Sequence, residues 1–161
     1  MATYAADTSV STEKSRAEIE RTLQRWGAEQ FMYGWTGQAA VVGFILANRK
    51  VKFVVPMPDR NAREFTHTPA RGTLRSPAQH AEAYEQACRQ RWRALSLVIK
   101  AKLEAVESGI STFDVEFLGH LVLPNGQTVA DSVVPAVAEA YETHRMPELL
   151  PEYPAPRAIE S

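Results

Sequence analysis

The chain has 161 residues, 45% of them hydrophobic, and a formal net charge of -1 at pH 7, so it can bury one hydrophobic core and needs no second one. Its single cysteine, Cys88, excludes an intrachain disulfide and favours a reducing compartment. No apolar run approaches the roughly 18 residues that a membrane span requires, so we expect a cytoplasmic protein without a membrane partner.

The first predicted element is a short amphipathic helix. It begins near Ser15, with Glu18 at its third helical position, and ends at Gly27. Its apolar face is formed by Ile19, Leu23 and Trp26.

Three strands are predicted next, at residues 30–35, 38–47 and 50–55. Tight turns at Thr36-Gly37 and Asn48-Arg49 join them, so an antiparallel meander is the natural pairing. The second strand is apolar on both faces, which suits a central position in the sheet.

A connection rich in proline and arginine, residues 56–75, separates the strands from a long helix. A segment of this length without regular structure is usually functional or disordered. The helix runs from Ser76 to Gly109, with Ser76 as N-cap, Pro77 at the first helical position and Gln79 completing a capping box. Its predicted core stripe recurs at steps of three and four and consists of Ala81, Tyr84, Cys88, Trp92, Leu95, Ile99, Leu103 and Val106.

The C-terminal part is predicted to be mainly helical. Ser111 or Thr112 caps a short helix, and Pro124-Asn125-Gly126 is a turn that closes a small hairpin. A further helix is expected over residues 131–144, with Pro135 in its first turn or at a kink.

These elements predict an α+β fold: an N-terminal helix, a three-stranded antiparallel meander, a long central helix packed on the sheet, and a helical C-terminal part. We assign residues 12–146 to this single domain. Residues 1–11 are expected to be a flexible tail and residues 147–161 a proline-rich tail.

Basic residues are concentrated in the middle of the chain. From Arg49 to Lys102 there are twelve basic and four acidic residues, a balance of plus eight, whereas the remainder carries minus nine. This asymmetry favours an anionic partner or contacts between subunits, and a continuous surface of these side chains would neutralise phosphates. The residues predicted to contact nucleic acid are Arg49, Lys50, Lys52, Arg60, Arg63, Phe65, Arg71, Arg75, Arg89, Arg91, Arg93 and Lys100.

Two interpretations of this region remain open. Tyr33, Trp35 or Phe65 could stack on unpaired bases, or Tyr33 and Trp35 could be core residues while the basic side chains form a solvated face. Trp92 lies on the helical stripe and is expected in the core.

Enzyme signals are weak. We find no nucleophile elbow, phosphate-binding loop or dinucleotide fingerprint, and we predict no catalytic residue, no metal and no cofactor. Cys88 is interpreted as a small buried group rather than a nucleophile. A metal-dependent nuclease would need acidic residues as metal ligands. Asp59, Glu64 and His67 lie together in the connection formed by residues 56–75.

The chain resembles a family of small uncharacterised proteins from bacteriophages, prophages and other mobile elements, in the strings FMYGW, VKFVVPMPD with the loop to FTHTPARG, RQRWRALSLVIKAKLEAVESGI and HLVLPNGQTV. The resemblance covers roughly residues 12–150. It implies a phage-associated protein that works inside a bacterial cell, and it transfers no functional residues.

The predicted topology is also similar to the core of Rad52-type single-strand annealing proteins, which form rings that bind the DNA backbone. We therefore expect a non-enzymatic DNA-binding protein, with single-stranded DNA favoured as partner, acting in replication or recombination and capable of forming a homo-oligomer. The alternative is an anti-defence or regulatory factor whose basic patch binds an acidic protein. A metal-dependent nuclease is the weaker alternative.

Overall fold

The computed structural model describes residues 5–150 and residue 152. The elements are α1 (Thr12–Arg25), β1 (Gln30–Thr36), β2 (Ala39–Leu46), β3 (Arg49–Pro56), α2 (Arg63–Thr66), α3 (Pro77–Glu107), α4 (Phe113–Phe117), a 3₁₀ turn (Leu118–His120) and α5 (Val129–Thr143). The predicted α+β arrangement is confirmed. No helix in the described part of the chain combines the length and the apolarity that crossing a bilayer would require.

The sheet is an antiparallel meander in the order β1-β2-β3. Its two-residue turns are Gly37-Gln38 and Ala47-Asn48, each one residue away from the predicted position. Ala47 and Asn48 both have positive φ, 51° and 57°, and a type I′ turn requires this because its twist matches that of the flanking strands.

The two sides of the sheet have different surroundings. One side packs on the helices and buries Val42, Phe44, Val51 and Phe53, which are at most 4% exposed. The other side, called the open face below, carries no helix of the described chain. It is formed by Met32, Val41, Gly43, Ile45, Lys50, Lys52 and Val54.

The core lies between the sheet and α3. Trp92, Ile99 and Leu103 of α3 are at most 1% exposed. Phe117 of α4 is fully buried and meets Phe44 edge-on, with ring centroids 6.0 Å apart. The predicted core stripe is therefore confirmed from Trp92 to Leu103, whereas Val106 at its end is half-buried.

The N-terminal half of the stripe is not core. Ala81, Tyr84 and Cys88 are half-buried, contrary to the prediction. The 31 residues of α3 span roughly 46 Å, whereas the eight residues of β2 span roughly 26 Å. The helix is too long for the sheet to cover, so its N-terminal half extends past the sheet.

Capping side chains determine where α1 and α3 begin. The capping box of Ser76 and Gln79 is present as predicted. α1, however, is capped by Ser11, whose hydroxyl accepts from the Lys14 N–H. The predicted start at Ser15 is wrong, because Ser15 is fully buried in the same helix face as Ile19.

The described part of the N-terminal segment is attached to α3. Gln86 Nε2 donates to the carbonyl oxygens of Ala6 and Thr8 at 2.9 and 3.0 Å, so this part of the segment predicted to be a flexible tail is hydrogen-bonded to α3. The prediction for residues 1–4, and that for residue 151 and residues 153–161 of the proline-rich tail, lies outside the described residues.

The C-terminal part continues the β3 edge of the sheet. Leu121 forms a bridge with Val51, and Val122 pairs with Thr128 in the predicted small hairpin. α5 then begins two residues earlier than predicted, with a capping box of Thr128 and Asp131.

We predict opposite outcomes for two serines of α1. Replacing Ser11 with Ala should lower the free energy of unfolding by about 1 kcal/mol, because an N-cap hydrogen bond is lost. Replacing Ser15 with Ala should leave stability unchanged or raise it, because its buried hydroxyl has no partner among the described residues. Urea denaturation of both variants provides the measurement, and a greater loss for Ser15→Ala than for Ser11→Ala would contradict the assigned cap.

Candidate nucleic-acid interface

Two aromatic side chains of β1 lie at the margin of the helix layer. Tyr33 pairs in register with Val42, and Trp35 with Ala40, so both rings belong to the helix-facing side of the sheet. They are nevertheless 52% and 61% exposed. β1 is an edge strand, and the helices do not extend far enough to cover it.

Trp35 lines a cleft of about 270 Å³ together with Arg60 and Tyr84. The guanidinium carbon of Arg60 lies 5.2 Å from the centroid of the Tyr84 ring, within cation–π distance. Asp59 lines the same cleft and offsets one positive charge there. We call this cleft the aromatic cleft. Tyr33 is not part of its lining and lies two residues before Trp35 on the same face of β1.

Arg16 of α1 adds a second cation to this region. Its guanidinium carbon lies 4.6 Å from the Tyr33 ring centroid and 5.6 Å from that of Trp92. Its ion pair is with Glu13, which is mostly exposed, at 3.7 Å. Arg16 therefore joins the exposed ring of β1 to the buried indole of α3.

Neighbouring groups hold the cleft residues in place. The Arg60 carbonyl oxygen is 2.7 Å from Nε2 of His80 in α3. Tyr84 meets the Phe65 ring edge-on, with centroids 5.8 Å apart. Its hydrogen bond with Cys88, together with partial burial, raises the pKa of Tyr84. Burial also raises the pKa of the Cys88 thiol, so this cysteine has the character of a packed thiol rather than an activated nucleophile.

The predicted long loop is ordered and carries arginines to the surface beside the cleft. His67 and Leu74 form a β-bridge, and Arg75 Nε donates to the His67 carbonyl oxygen at 3.1 Å. Arg63 and Arg71 are exposed. Among the described residues, neither they nor Arg60 form an ion pair with an acid.

The basic residues of β3 lie elsewhere. Arg49 forms a bidentate pair with Asp114 of α4, at 3.1 and 3.3 Å. Lys50 and Lys52 belong to the open face. Arg49 and Pro56 mark opposite ends of the strand, roughly 23 Å apart, so this group does not continue into the arginines of the loop.

The basic residues of α3 are also separate from the strand. Arg93 forms an ion pair with Glu18 of α1, and Arg89 donates to Gln86 Oε1 through two nitrogens, at 3.0 and 2.6 Å. The predicted continuous basic surface therefore does not form here, because Arg93 binds Glu18 of α1 and Arg89 binds residues of its own helix. Arg91 and Lys100 are exposed on the same helix.

Phe65 and the residues predicted for a nuclease site do not have the positions that those roles require. Phe65 is 6% exposed, so it cannot offer a ring face to a base and instead supports Tyr84. Within residues 5–150 and residue 152, no three side chains of His, Cys, Asp or Glu are placed to hold a metal ion. Asp59, Glu64 and His67 therefore do not converge into the site that a nuclease would need.

Sequence reasoning missed Arg16 and assigned Tyr84 to the core. For Tyr84 a signal existed, because a helix of about 46 Å cannot be buried along its whole length by strands of about 26 Å. The sequence contains no comparable signal for Arg16. Its contact with Tyr33 depends on how α1 packs against α3.

Comparisons with protein-family models, with curated proteins and with solved structures find no match for this chain.

The exposed position of Trp35 can be tested by fluorescence. Trp92 is 1% exposed and Trp26 half-buried, so Trp35 should supply most of the emission that acrylamide quenches. We expect Trp35→Phe to shift the emission to shorter wavelength and to remove most of the quenching. Emission and quenching that stay at wild-type values in this variant would contradict the exposure of the cleft.

Proposed function

We propose that the protein binds single-stranded nucleic acid, with single-stranded DNA as the favoured partner, and that the aromatic cleft receives its bases. The observation that supports this most directly is the exposure of two aromatic rings, Tyr33 and Trp35, on one side of an edge strand. Exposed Trp and Tyr rings at a cleft are typical stacking platforms, because every base offers a π face.

The charges around the cleft suit a phosphate backbone. Arg60 lines the cleft, and Arg63 and Arg71 belong to the adjoining loop without an ion pair to a described acid. Cations that no protein acid neutralises are available to displace counterions from phosphates. Asp59 reduces the charge within the cleft itself, so we expect stacking to supply more of the affinity than charge.

Selectivity for single strands follows from the kind of contact. A base can stack on Trp35 only when its face is free, and in a duplex the faces are covered by neighbouring bases. On α3, Arg89 and Arg93 bind other side chains, so the exposed basic residues Arg91 and Lys100 are separate cations and do not form the continuous basic face of a helix that enters a major groove.

We propose the biological setting from the sequence resemblance. A phage or prophage protein that binds single strands would act in replication or recombination inside a bacterial cell. Annealing of complementary strands is a further activity that such binding would permit.

Binding of labelled oligonucleotides tests the proposal. We expect Trp35→Ala to weaken binding of a single-stranded oligonucleotide by about 5- to 150-fold, the effect of losing one base stack. Arg63→Ala should weaken it less and lower the salt slope by about 0.7, because one phosphate contact is lost. Fluorescence anisotropy over a range of salt concentrations gives both quantities.

Matched controls lie at the other end of the molecule. Val115 of α4 is 67% exposed, and Arg49 is paired with Asp114, so Val115→Ala and Arg49→Ala should leave binding unchanged. If no single-stranded oligonucleotide binds even at low salt, the proposal fails. Equal affinity of the wild type and the Trp35→Ala variant would remove the aromatic cleft from the binding site.

A further inference from the structure

α5 exposes an apolar surface that the described chain does not cover. Val134, Val137 and Tyr141 are 62%, 40% and 81% exposed, and no residue of α5 is buried. Its main packing partner among the described residues is the 3₁₀ turn Leu118–His120. A helix of 15 residues is marginal in water by itself, and Pro135 removes one of its hydrogen bonds. α5 therefore needs a surface to pack on.

The open face of the sheet is an apolar surface of the complementary kind. An antiparallel sheet that faces water usually carries polar side chains on that side, but here Met32 and Val54 are 69% and 50% exposed and Val41 and Ile45 are half-buried. Met32 lies over Gly43, where an added Cβ would be 3.2 Å from Met32 Cγ. Met32, Val41 and Ile45 line a mainly apolar cleft of about 380 Å³ on this face.

The two surfaces match in size. The 15 residues of α5 form a helix roughly 22 Å long, and strands of seven or eight residues are roughly 23 to 26 Å long. One helix can therefore cover the open face along its whole length.

The two surfaces are also opposite in charge. α5 carries Asp131, Glu139 and Glu142 and has no lysine or arginine from Val129 to Thr143. The cleft on the open face is flanked by Lys50 and Lys52. Complementary charges at the rim of an apolar contact favour the correct partner and register.

We propose that α5 of one copy of this chain docks on the open face of a second copy. Within one copy the start of α5 is fixed at the β3 edge, because the Val129 N–H donates to the Leu121 carbonyl oxygen at 2.9 Å and Lys52 Nζ donates to the Gly126 carbonyl oxygen at 3.4 Å. None of the described residues that line the open-face cleft belongs to α5. The helix and the cleft therefore meet between copies, and this association does not depend on nucleic-acid binding.

The molar mass in solution is the first test. Light scattering coupled to size-exclusion chromatography should give at least twice the 17.9 kDa of one chain for the wild type at high micromolar concentration. Val134→Asp combined with Val137→Asp should raise the dissociation constant about 100-fold or more, since charge enters the centre of the contact. Both positions are exposed in the single copy, so circular dichroism should show an unchanged fold, and Val115→Asp is the matched control that should leave the mass unchanged.

A charge exchange tests which surfaces pair. Lys50→Glu alters the sheet, and Glu142→Lys alters the helix, so each variant alone should associate at least about 10-fold more weakly than the wild type. An equimolar mixture places the new lysine opposite the new glutamate in one contact and keeps the native pair in the other, so it should recover the wild-type mass. A monomeric wild type, or a mixture that stays monomeric, would overturn the proposal.

Discussion

The burial of the C-terminal half of α3 against the sheet is the contact on which the other features depend. Trp92, Ile99 and Leu103 pack on one side of β2 and β3, and Phe117 closes the far end of this layer against Phe44. Burying a large apolar side chain contributes about 1.5 to 3 kcal/mol, so this layer fixes the position of α3. α1 then packs on α3 through Ile19 and Leu23.

Both proposed surfaces exist because α3 covers only part of one side of the sheet. α3 covers the middle of one sheet face, and its N-terminal half continues past the sheet edge, where Tyr84 joins Arg60 and Trp35 around a cleft. The same layer uses one side of the sheet, and no helix of the described residues lies on the open face. α5 leaves the β3 edge with an apolar side that no described residue covers, so residues 5–150 present two apolar surfaces of opposite charge.

Local patterns in the sequence predicted the elements well because their causes are local. The Ser76 capping box and the helical conformation of α3 depend on residues close together in the chain, and both are confirmed. Ser15 fits the capping-box pattern because Glu18 follows it, but it also continues the stripe of Ile19 and Leu23 at steps of four, and it is buried with that stripe. The alternation of Val51 and Phe53 with Lys50 and Lys52 in β3 indicates the buried side of the sheet, but β2 is apolar on both faces, so the sequence does not show that the other side stays without a helix.

The basic segment shows why closeness in sequence is a weak guide to a surface. Arg49, Arg60 and Arg93 lie within one positively charged stretch, yet the fold directs them to α4, to the aromatic cleft and to α1. Ion pairs with Asp114 and Glu18 occupy two of them. Arg60, Arg63 and Arg71 are instead exposed and have no acidic partner among the described residues. They lie beside Tyr33 and Trp35, for which the sequence allowed both a core position and a surface position.

The most direct measurement of the central claim is a nuclear magnetic resonance titration that follows the indole N–H signals of the three tryptophans. Addition of a single-stranded oligonucleotide should shift the Trp35 signal most, because a base stacks on its ring, and should leave that of the buried Trp92 nearly unchanged. If the oligonucleotide binds and the Trp35 signal does not shift, the account is contradicted. It is also contradicted if the oligonucleotide does not bind at low salt.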